Sequence, residues 1–369
     1  MRQKNCNGNK FLKTVRKIRL QNASSVNKAL FFYRFGNGGA ERVVLNLIEY
    51  TDNKPTIYTF KDVSEHRHLN VKTIGLLEAI KLVRTCGTLQ VYLLKGLLFI
   101  AILKLIGIKF HAEAVHCFSY YGYLKNVRFK RAKKFIIYFS LKMFDKHIFK
   151  SSEMQEETLK FFKTSMDSKV IRNPNFYSID TKNFENNLQS SKHIFCVVGR
   201  LEKSKNLIEF LRFVELMPRE IEFKVLGSGS MHDEIKNLLL EKQLENVKLY
   251  GFIKDPREVM LGCTHYISFS SNEGFPNALV EALSCGLICI HNDCKTGPRE
   301  IMGCDLELKI VSFFKAQRGL LFNYTAKNAL DAYFYINNSE ITIEHFSESI
   351  VNFLSTLNPY VAAGEYFEA

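Results

Sequence analysis

Short apolar runs alternate with segments of helical periodicity along most of the chain. The runs are rich in Val, Ile, Phe and Tyr, which is typical of strands, and the segments between them can form crossover helices. Such alternation predicts parallel β-sheets covered by helices, an α/β fold. Two series of strands are predicted, at residues 29–35, 56–60, 72–75, 113–118, 146–149 and 170–172 and then at residues 194–198, 222–226, 247–250, 266–269 and 287–291.

The two series predict two Rossmann-like lobes. A chain of 369 residues exceeds what one hydrophobic core usually supports, and residues 173–192 between the series are polar and rich in Asn and Ser. The predicted units are an extension at 1–28, a first lobe at 29–180 and a second lobe at 190–369, whose last helix packs back on the first lobe. In doubly wound sheets, ligands bind at the carboxyl ends of the strands, so we expect a site in the cleft between the lobes.

The longest apolar segment, 89–108, contains Lys95 and Lys104, which leave a clean apolar stretch of eight residues between them. As a helix, that stretch is about 12 Å long, against about 30 Å for the hydrocarbon core of a bilayer. The segment is therefore predicted not to span a membrane. The two lysines fall on opposite sides of a helix, which favours a core helix over an interfacial one.

The formal charge of +14 is concentrated in two basic segments. Residues 1–28 contain eight Lys or Arg and no acid, and residues 125–150 contain nine Lys or Arg and one Asp. No module that reads nucleic acid is recognisable, so we expect an anionic membrane surface as a partner and no nucleic acid. A solvated, unstructured tail would equally explain residues 1–28.

The nine cysteines are scattered and include no C-x-x-C pair, which indicates a reducing compartment and no metal site. The first apolar run, 29–35, is too short and too far from the start of the chain to act as a secretory signal. With the basic segments, these features predict a cytoplasmic location, peripheral on the cytoplasmic face of a membrane.

The most specific motif, SSNEGFPNALVEALSCG at 270–286, follows a predicted strand. Pro276 and Gly286 stand where a helix is expected to begin and end. Glu273 then precedes the helix and Glu281 lies in its second turn, so the two carboxylates cannot converge on one atom. Each can hold a separate pair of hydroxyls, while the amino end of the helix attracts an anion between them.

A second motif, FCVVGRLEKSKNL at 195–207, places Arg200 and Lys205 in the turn after a strand, with Ser204 as the predicted helix cap. Two fixed cations there could neutralise a diphosphate leaving group, which a divalent ion does in metal-dependent transferases. The chain contains no Asp-x-Asp pair. We therefore expect no metal and no other cofactor.

Two further segments of the first lobe are weaker candidates. In FGNGGAERV at 35–43, Gly38 and Gly39 allow a close approach to an anion, although a tight strand-to-helix turn would also explain them. His116 ends a predicted strand, but His111 competes with it, and strand-end histidines often have structural roles. The loop at 227–229, Gly-Ser-Gly, is interpreted as structural.

Together these motifs resemble the retaining GT-B glycosyltransferases of glycosyltransferase family 4. The resemblance runs from about residue 29 to about residue 357, and the motifs of the second lobe are its specific part. It implies a nucleotide-sugar donor, UDP-linked, bound mainly to the second lobe, with the acceptor entering over the first. The implied residues are His116 and Glu273 for catalysis and Gly38, Gly39, Arg200, Lys205, Gly274, Phe275, Asn277 and Glu281 for donor binding.

The function that the resemblance implies is retaining, metal-independent transfer of a hexose or N-acetylhexosamine to a lipid-linked or surface glycan acceptor. The loop at 293–300 is similar to members that transfer N-acetylhexosamines in bacterial surface glycan pathways. Pro276, where many members have Gly, is a departure, and so is the basic extension. A non-catalytic protein that binds sugar nucleotides or scaffolds glycan assembly is the alternative, and a Rossmann oxidoreductase is disfavoured by the missing G-x-G-x-x-G fingerprint.

Overall fold

The computed structural model describes residues 28–36, 38–63, 70–125, 127–338 and 343–368. Of the predicted extension, only Lys28 belongs to these ranges, so the remainder of that prediction lies outside the described residues. The described strands form two seven-stranded sheets, one in each half of the chain, with helices packed on them. The predicted two-lobed α/β fold is confirmed.

The first sheet is entirely parallel, with the strand order β3-β2-β1-β4-β5-β6-β7. Its strands are β1 Lys28–Phe32, β2 Thr56–Thr59, β3 Val71–Thr73, β4 Thr88–Tyr92, β5 Ala112–Val115, β6 Lys146–Phe149 and β7 Ser168–Val170. Its helices are α1 Gly39–Ile48, α2 Leu76–Thr85, α3 Leu93–Leu105, α4 Tyr120–Lys125, α5 Lys130–Leu141 and α6 Ser152–Phe162.

The central strand β1 shows why the sheet is buried on both faces. Ala29 and Phe31 join the apolar cluster on one face, and Leu30 and Phe32 join the cluster on the other. Alternate residues of a strand point to opposite faces, so a run of apolar residues fits a strand covered by helices on both sides.

The prediction of one core helix at 89–108 is wrong. Residues Thr88–Tyr92 form β4, which pairs with β1 and β5, and helix α3 begins only at Leu93. The helix also leaves Ile102, Leu105 and Ile106 exposed near its carboxyl end. Within the described ranges, no helix combines the length and the apolar character that crossing a bilayer would require.

The second sheet has the order β10-β9-β8-β11-β12-β14-β13, and only β13 runs antiparallel to its neighbour. Its strands are β8 Ile194–Val198, β9 Glu222–Leu226, β10 Val247–Gly251, β11 His265–Ser268, β12 Ile288–Asn292, β13 Phe313–Ala316 and β14 Gly319–Phe322. Its helices are α7 Thr181–Leu188, α8 Leu207–Leu216, α9 His232–Glu241, α10 Arg257–Met260, α11 Asn277–Ser284, α12 Pro298–Met302, α13 Ala326–Asn338 and α14 Ile343–Thr356. The hairpin of β13 and β14 was not predicted.

The chain end returns to the first lobe. Helix α15, Pro359–Ala363, packs on α1, and Tyr366 is buried in the first lobe's core. The carbonyl oxygen of Tyr366 accepts hydrogen bonds from Gln90 Nε2 at 2.7 Å and from Lys28 Nζ at 3.1 Å. The two lobes are therefore joined both by the linker after β7 and by the carboxyl-terminal segment.

Candidate active site

The sequence motifs lie at the carboxyl ends of neighbouring strands. In the second sheet, β8 and β11 are adjacent, and the strand order reverses between them. The turn of the second motif follows β8, and α11 follows β11. In the first sheet, α1 follows the central strand β1. Ligands of doubly wound sheets bind at such reversal points.

The turn after β8 is tied to the loop before α11. Residues Lys203–Lys205 form one turn of 3₁₀ helix, and α8 begins after Asn206, which adopts a left-handed conformation. The prediction that Ser204 caps the helix is wrong, because Asn206 occupies that position. Instead, the carbonyl oxygen of Ser204 accepts bonds from Ser271 N at 2.8 Å and from Ser271 Oγ at 3.0 Å. These bonds fix the basic turn against the loop that carries Glu273.

The glycine loop at 227–229 supports the same turn. A Cβ on Gly227 would lie 1.8 Å from the carbonyl oxygen of Gly199, and Gly227 has a φ of +142°. Leu201 N donates to the carbonyl oxygen of Ser228 at 2.9 Å. Only glycine allows so close an approach, so the loop holds the turn in place.

Lys205 forms an ion pair with Glu273. Burial raises the pKa of the Glu273 carboxyl, but the Lys205 ammonium, together with His291 and the Ser270 hydroxyl, holds the pKa below its usual value. Glu273 is therefore ionised at neutral pH. Its backbone N–H donates to the carbonyl oxygen of Lys295 at 2.8 Å, which orders the loop before α11.

Glu281 is reached by Arg42, which α1 projects across the cleft to form an ion pair with Oε1. The second oxygen, Oε2, is buried and accepts no hydrogen bond within the described part of the chain. Burial raises the pKa of Glu281 to about 7, and the Arg42 guanidinium opposes that rise. A buried carboxylate with one unused oxygen is poised to accept a hydroxyl group.

Arg42 was not among the predicted site residues. Its signal was present in the sequence, because it is a cation one turn into the helix that follows Gly38 and Gly39. A role for Arg42 in the site nevertheless depends on its partner Glu281, which lies 239 positions further along the chain.

A crevice opens between α1, the linker and α11. Its lining includes Arg42, Asn46, Tyr177, Asn277 and Glu281. Tyr177 Oη donates to Asp255 Oδ1 at 3.0 Å. Polar and charged side chains of both lobes thus surround the Glu281 carboxylate, which was predicted to bind the donor.

The first lobe meets α11 through backbone and amide groups. Asn277 Nδ2 donates to the carbonyl oxygen of Gly39 at 3.3 Å, and Asn173 Nδ2 donates to Asn277 Oδ1 at 2.7 Å. A Cβ on Gly274 would lie 2.4 Å from the carbonyl oxygen of Cys117, so the two backbones nearly touch. Phe275 packs its ring into the second lobe's core, which leaves only its backbone for a ligand.

Arg200 is exposed at the cleft and acts electrostatically on Glu41 of α1. Burial raises the pKa of Glu41, and the Arg200 guanidinium counteracts that rise. Arg200, Lys205, Glu273 and Glu281 therefore lie on the second-lobe side of the cleft, and Gly38, Gly39 and the start of α1 lie opposite them on the first-lobe side.

His116 is not brought into this group. It is buried, its Nδ1 lies 2.9 Å from Tyr120 Oη, and its Nε2 lies 3.0 Å from His147 Nδ1. Burial lowers the pKa of His116 well below its usual value, so the ring is neutral. Its predicted contact with a donor sugar stays a prediction, and it requires the ring to release one of these bonds. The competing His111 lies on the surface, 3.7 Å from Asp145.

The chain is similar in sequence to known glycosyltransferases. Residues 178–306 match the family model described as "Glycosyl transferases group 1". The chain is 27% identical over 305 residues to the N-acetylgalactosamine-N,N'-diacetylbacillosaminyl-diphospho-undecaprenol 4-alpha-N-acetylgalactosaminyltransferase of Campylobacter jejuni, covering 75% of this chain and 83% of that protein. It is 29% identical to the lipopolysaccharide 1,6-galactosyltransferase of Salmonella typhimurium, over 43% of this chain and 45% of that protein.

A solved structure shares the whole architecture. HepE of Anabaena in complex with UDP-glucose superposes with a TM-score of 0.72, covering 92% of this chain and 97% of that chain at 16% identity. At that identity, the likeness concerns the fold.

Proposed function

We propose that this chain, a glycosyltransferase with the GT-B fold and a group 1 domain in its second lobe, transfers a hexose or N-acetylhexosamine from a UDP-sugar to a lipid-linked or surface glycan. The transfer retains the anomeric configuration and needs no metal ion. One observation carries the proposal: the Gly38-Gly39 turn, the cations of the motif at 195–207 and the two glutamates of the motif at 270–286 meet at one cleft.

The donor in this proposal is a UDP-sugar held mainly by the second lobe. Glu281 accepts hydrogen bonds from the ribose hydroxyls through Oε2, the oxygen that lacks a partner among the described residues. The backbone of Gly274 and Phe275 and the ionised Glu273 hold the sugar. The solved complex of HepE with UDP-glucose supports a UDP-linked donor.

In this proposal, catalysis depends on stabilising the negative charge of the departing diphosphate. Lys205, held by its ion pair with Glu273, and the exposed Arg200 lie beside the cleft, and preorganised charge stabilises the transition state without a metal ion. The pair of Lys205 with Glu273 keeps the cation in place before the donor binds. Retention of configuration is supported by the resemblance of the motif at 270–286 to retaining enzymes.

The acceptor in this proposal is a glycan carried on a lipid, which enters over the first lobe. The names of the Campylobacter and Salmonella relatives specify a diphospho-undecaprenol glycan and a lipopolysaccharide. A lipid-linked acceptor requires the protein to work at a membrane surface. We accordingly propose a peripheral location on the cytoplasmic face, supported by the basic segment at 125–150.

A panel of radiolabelled nucleotide sugars, incubated with the purified chain and a bacterial lipid extract, tests this function. We expect label from one UDP-sugar to enter the lipid fraction, at a rate that EDTA does not change. The anomeric configuration of the product, read by NMR, is expected to match that of the donor. An inverted product, or a strict requirement for a divalent ion, would contradict the corresponding part of the proposal.

Two variants separate the site from the fold. Glu281→Ala is expected to abolish donor binding in calorimetry while the circular dichroism spectrum stays unchanged. Glu258→Ala, which removes an exposed acid on the neighbouring α10, is the matched control and should bind the donor normally. Normal donor binding by Glu281→Ala would remove that residue from the site.

A further inference from the structure

Helix α5 of the first lobe exposes a row of large apolar side chains. Phe135 is 62% exposed, Ile136 53% and Phe139 48%, while Ile137 and Leu141 of the same helix face the core. Phe129, directly before the helix, is 68% exposed. Four such side chains lie exposed within eleven positions, with the ring centres of Phe135 and Phe139 4.3 Å apart, and an apolar surface of this kind marks an interaction site.

The same helix is surrounded by positive charge. Residues 125–144 contain seven Lys or Arg and no acid. Lys134 is used internally, because its Nζ donates to the carbonyl oxygen of Phe161 at 2.6 Å. Lys125, Arg131 and Lys133 are exposed and form no salt bridge with any acid in the described part of the chain. A partner that covers this surface must therefore combine apolar groups with negative charge.

The backbone presents Phe129 outward at an energetic cost. Phe129 has a φ of 61° and a ψ of 40°, the left-handed conformation that aromatic residues rarely adopt. The Arg128 guanidinium lies 5.0 Å from the centre of its ring. Strain of this kind persists where the surrounding structure or a function maintains it.

The neighbouring helix carries apolar side chains as well. Helix α3 packs against α5, and Ile102, Leu105 and Ile106 near its carboxyl end are more than half exposed. Unlike the phenylalanines of α5, these three aliphatic side chains offer no ring on which a nucleic-acid base could stack, so the combined surface suits acyl chains better than bases. A two-fold contact between copies of this chain would bring the same seven cations together, which is unfavourable.

We propose that α5, led by Phe129, inserts its apolar face into the interface of a bilayer that contains anionic phospholipid. The exposed phenylalanines and Ile136 enter the acyl boundary, and Lys125, Arg131 and Lys133 contact the phosphates. The inference rests on the proposed function, since it brings the first lobe of the cleft to a lipid-carried acceptor. It adds the surface by which the protein docks.

A tryptophan reporter tests the insertion, because the chain contains no Trp. Phe135→Trp gives a single tryptophan, on α5, and Phe252→Trp, at an exposed position of the second lobe, is the matched control. With vesicles of phosphatidylcholine and phosphatidylglycerol, we expect a blue shift and quenching by brominated lipid for Phe135→Trp only. Equal responses of the two reporters, or none from Phe135→Trp, would overturn the proposal.

Vesicle flotation measures how much the apolar and the basic side chains of α5 contribute to vesicle affinity. Phe135→Ser combined with Phe139→Ser is expected to lower vesicle affinity by about tenfold or more, and Arg131→Glu combined with Lys133→Glu to lower it on anionic vesicles only. Leu216→Ser combined with Leu240→Ser, at exposed apolar positions of α8 and α9, should leave affinity unchanged. Unchanged flotation of the α5 variants, or a dimer that they dissociate, would contradict docking to lipid.

Activity measurements distinguish this inference from the proposed function. The α5 serine variant is expected to hydrolyse the donor at the wild-type rate but to transfer sugar poorly to acceptors in vesicles. If no nucleotide sugar supports transfer while flotation still depends on α5, the proposed function fails and the docking surface stands.

Discussion

Glu281 combines burial, an arginine partner and an unused oxygen, and these features set its response to pH. The groups that act on it are Arg42 of α1, Asp255 before α10 and Tyr177 of the linker. Burial raises its pKa to about 7, so the carboxyl is mostly protonated below that pH and ionised above it. The ionised form accepts hydrogen bonds from a ribose, and the protonated form accepts fewer.

The donor KM is therefore expected to fall by about tenfold as the pH rises through about 7, because hydrogen bonds to an ionised group are the stronger ones. Glu281→Gln should bind the donor weakly at every pH and lose this dependence. Arg42→Ala removes the charge that lowers the Glu281 pKa, so the transition should move to higher pH. Steady-state kinetics on either side of pH 7 measure the donor KM of wild type and of the two variants, with Arg84→Ala on α2 as the control. A flat wild-type profile would contradict the assignment.

Lys205 and Glu273 form a pair whose structural and catalytic contributions can be separated. Lys205→Met leaves a largely buried carboxylate without its cation, which is expected to lower the free energy of unfolding by about 2 kcal/mol. Adding Glu273→Gln removes the unpaired charge and should restore most of that stability. Transfer should stay about a hundredfold below wild type in both variants, because the diphosphate has lost a cation. Recovery of activity in the double variant would show that Lys205 acts only on the fold. Urea denaturation and transfer assays measure the two effects.

At the scale of elements, strands bounded by clear signals were predictable and strands defined by their neighbours were not. The bounds of β8 and β9 agree with the prediction, since each apolar run ends at a glycine. Strand β4 was missed because its residues run directly into the apolar α3, and pairing with β1 and β5 decides where the strand ends. The hairpin of β13 and β14 was missed because Gln317 and Arg318 between them carry no turn signature.

In the candidate site, too, features set by local sequence were predictable, and features set by contacts between distant elements were not. Its motifs could be assigned to strand ends, since spacing along the chain determines that position. The orientation of His116 could not, because Tyr120 and His147 reach its two nitrogens from α4 and β6. The pairing of Arg42 with Glu281 depends on how the two lobes meet, which local sequence does not encode.

The loop before α11 makes its closest approach to the first lobe at Gly274. A methyl group there would lie 2.4 Å from the carbonyl oxygen of Cys117, so Gly274→Ala is expected to force the loop and the first lobe apart. We expect the donor KM to rise by about tenfold or more, with a larger radius of gyration in small-angle scattering. Gly36→Ala, where the nearest atom lies at 3.5 Å, is the control. An unchanged KM would show that this contact does not shape the donor site.

At the scale of the whole molecule, the carboxyl-terminal segment makes the stability of one lobe depend on the other. Tyr366 is buried among first-lobe residues, where its hydroxyl contacts the Lys150 ammonium and donates to the carbonyl oxygen of Ile171 at 3.3 Å. Burial lowers the pKa of Lys150 to about 8, so the amine is still mostly charged at neutral pH. Removing the whole side chain leaves both a cavity and a buried charge without its hydroxyl partner, whereas removing the hydroxyl alone leaves no cavity.

Tyr366→Ala is therefore expected to destabilise the first lobe by about 4 kcal/mol, whereas Tyr366→Phe, which keeps the ring, should cost about 1 kcal/mol. Because the segment continues from α14 of the second lobe, its release should also uncouple the lobes. Urea unfolding followed by circular dichroism should then show one transition for wild type and Tyr366→Phe and two for Tyr366→Ala. A single transition in all three proteins would mean that the linker and the cleft contacts alone couple the lobes.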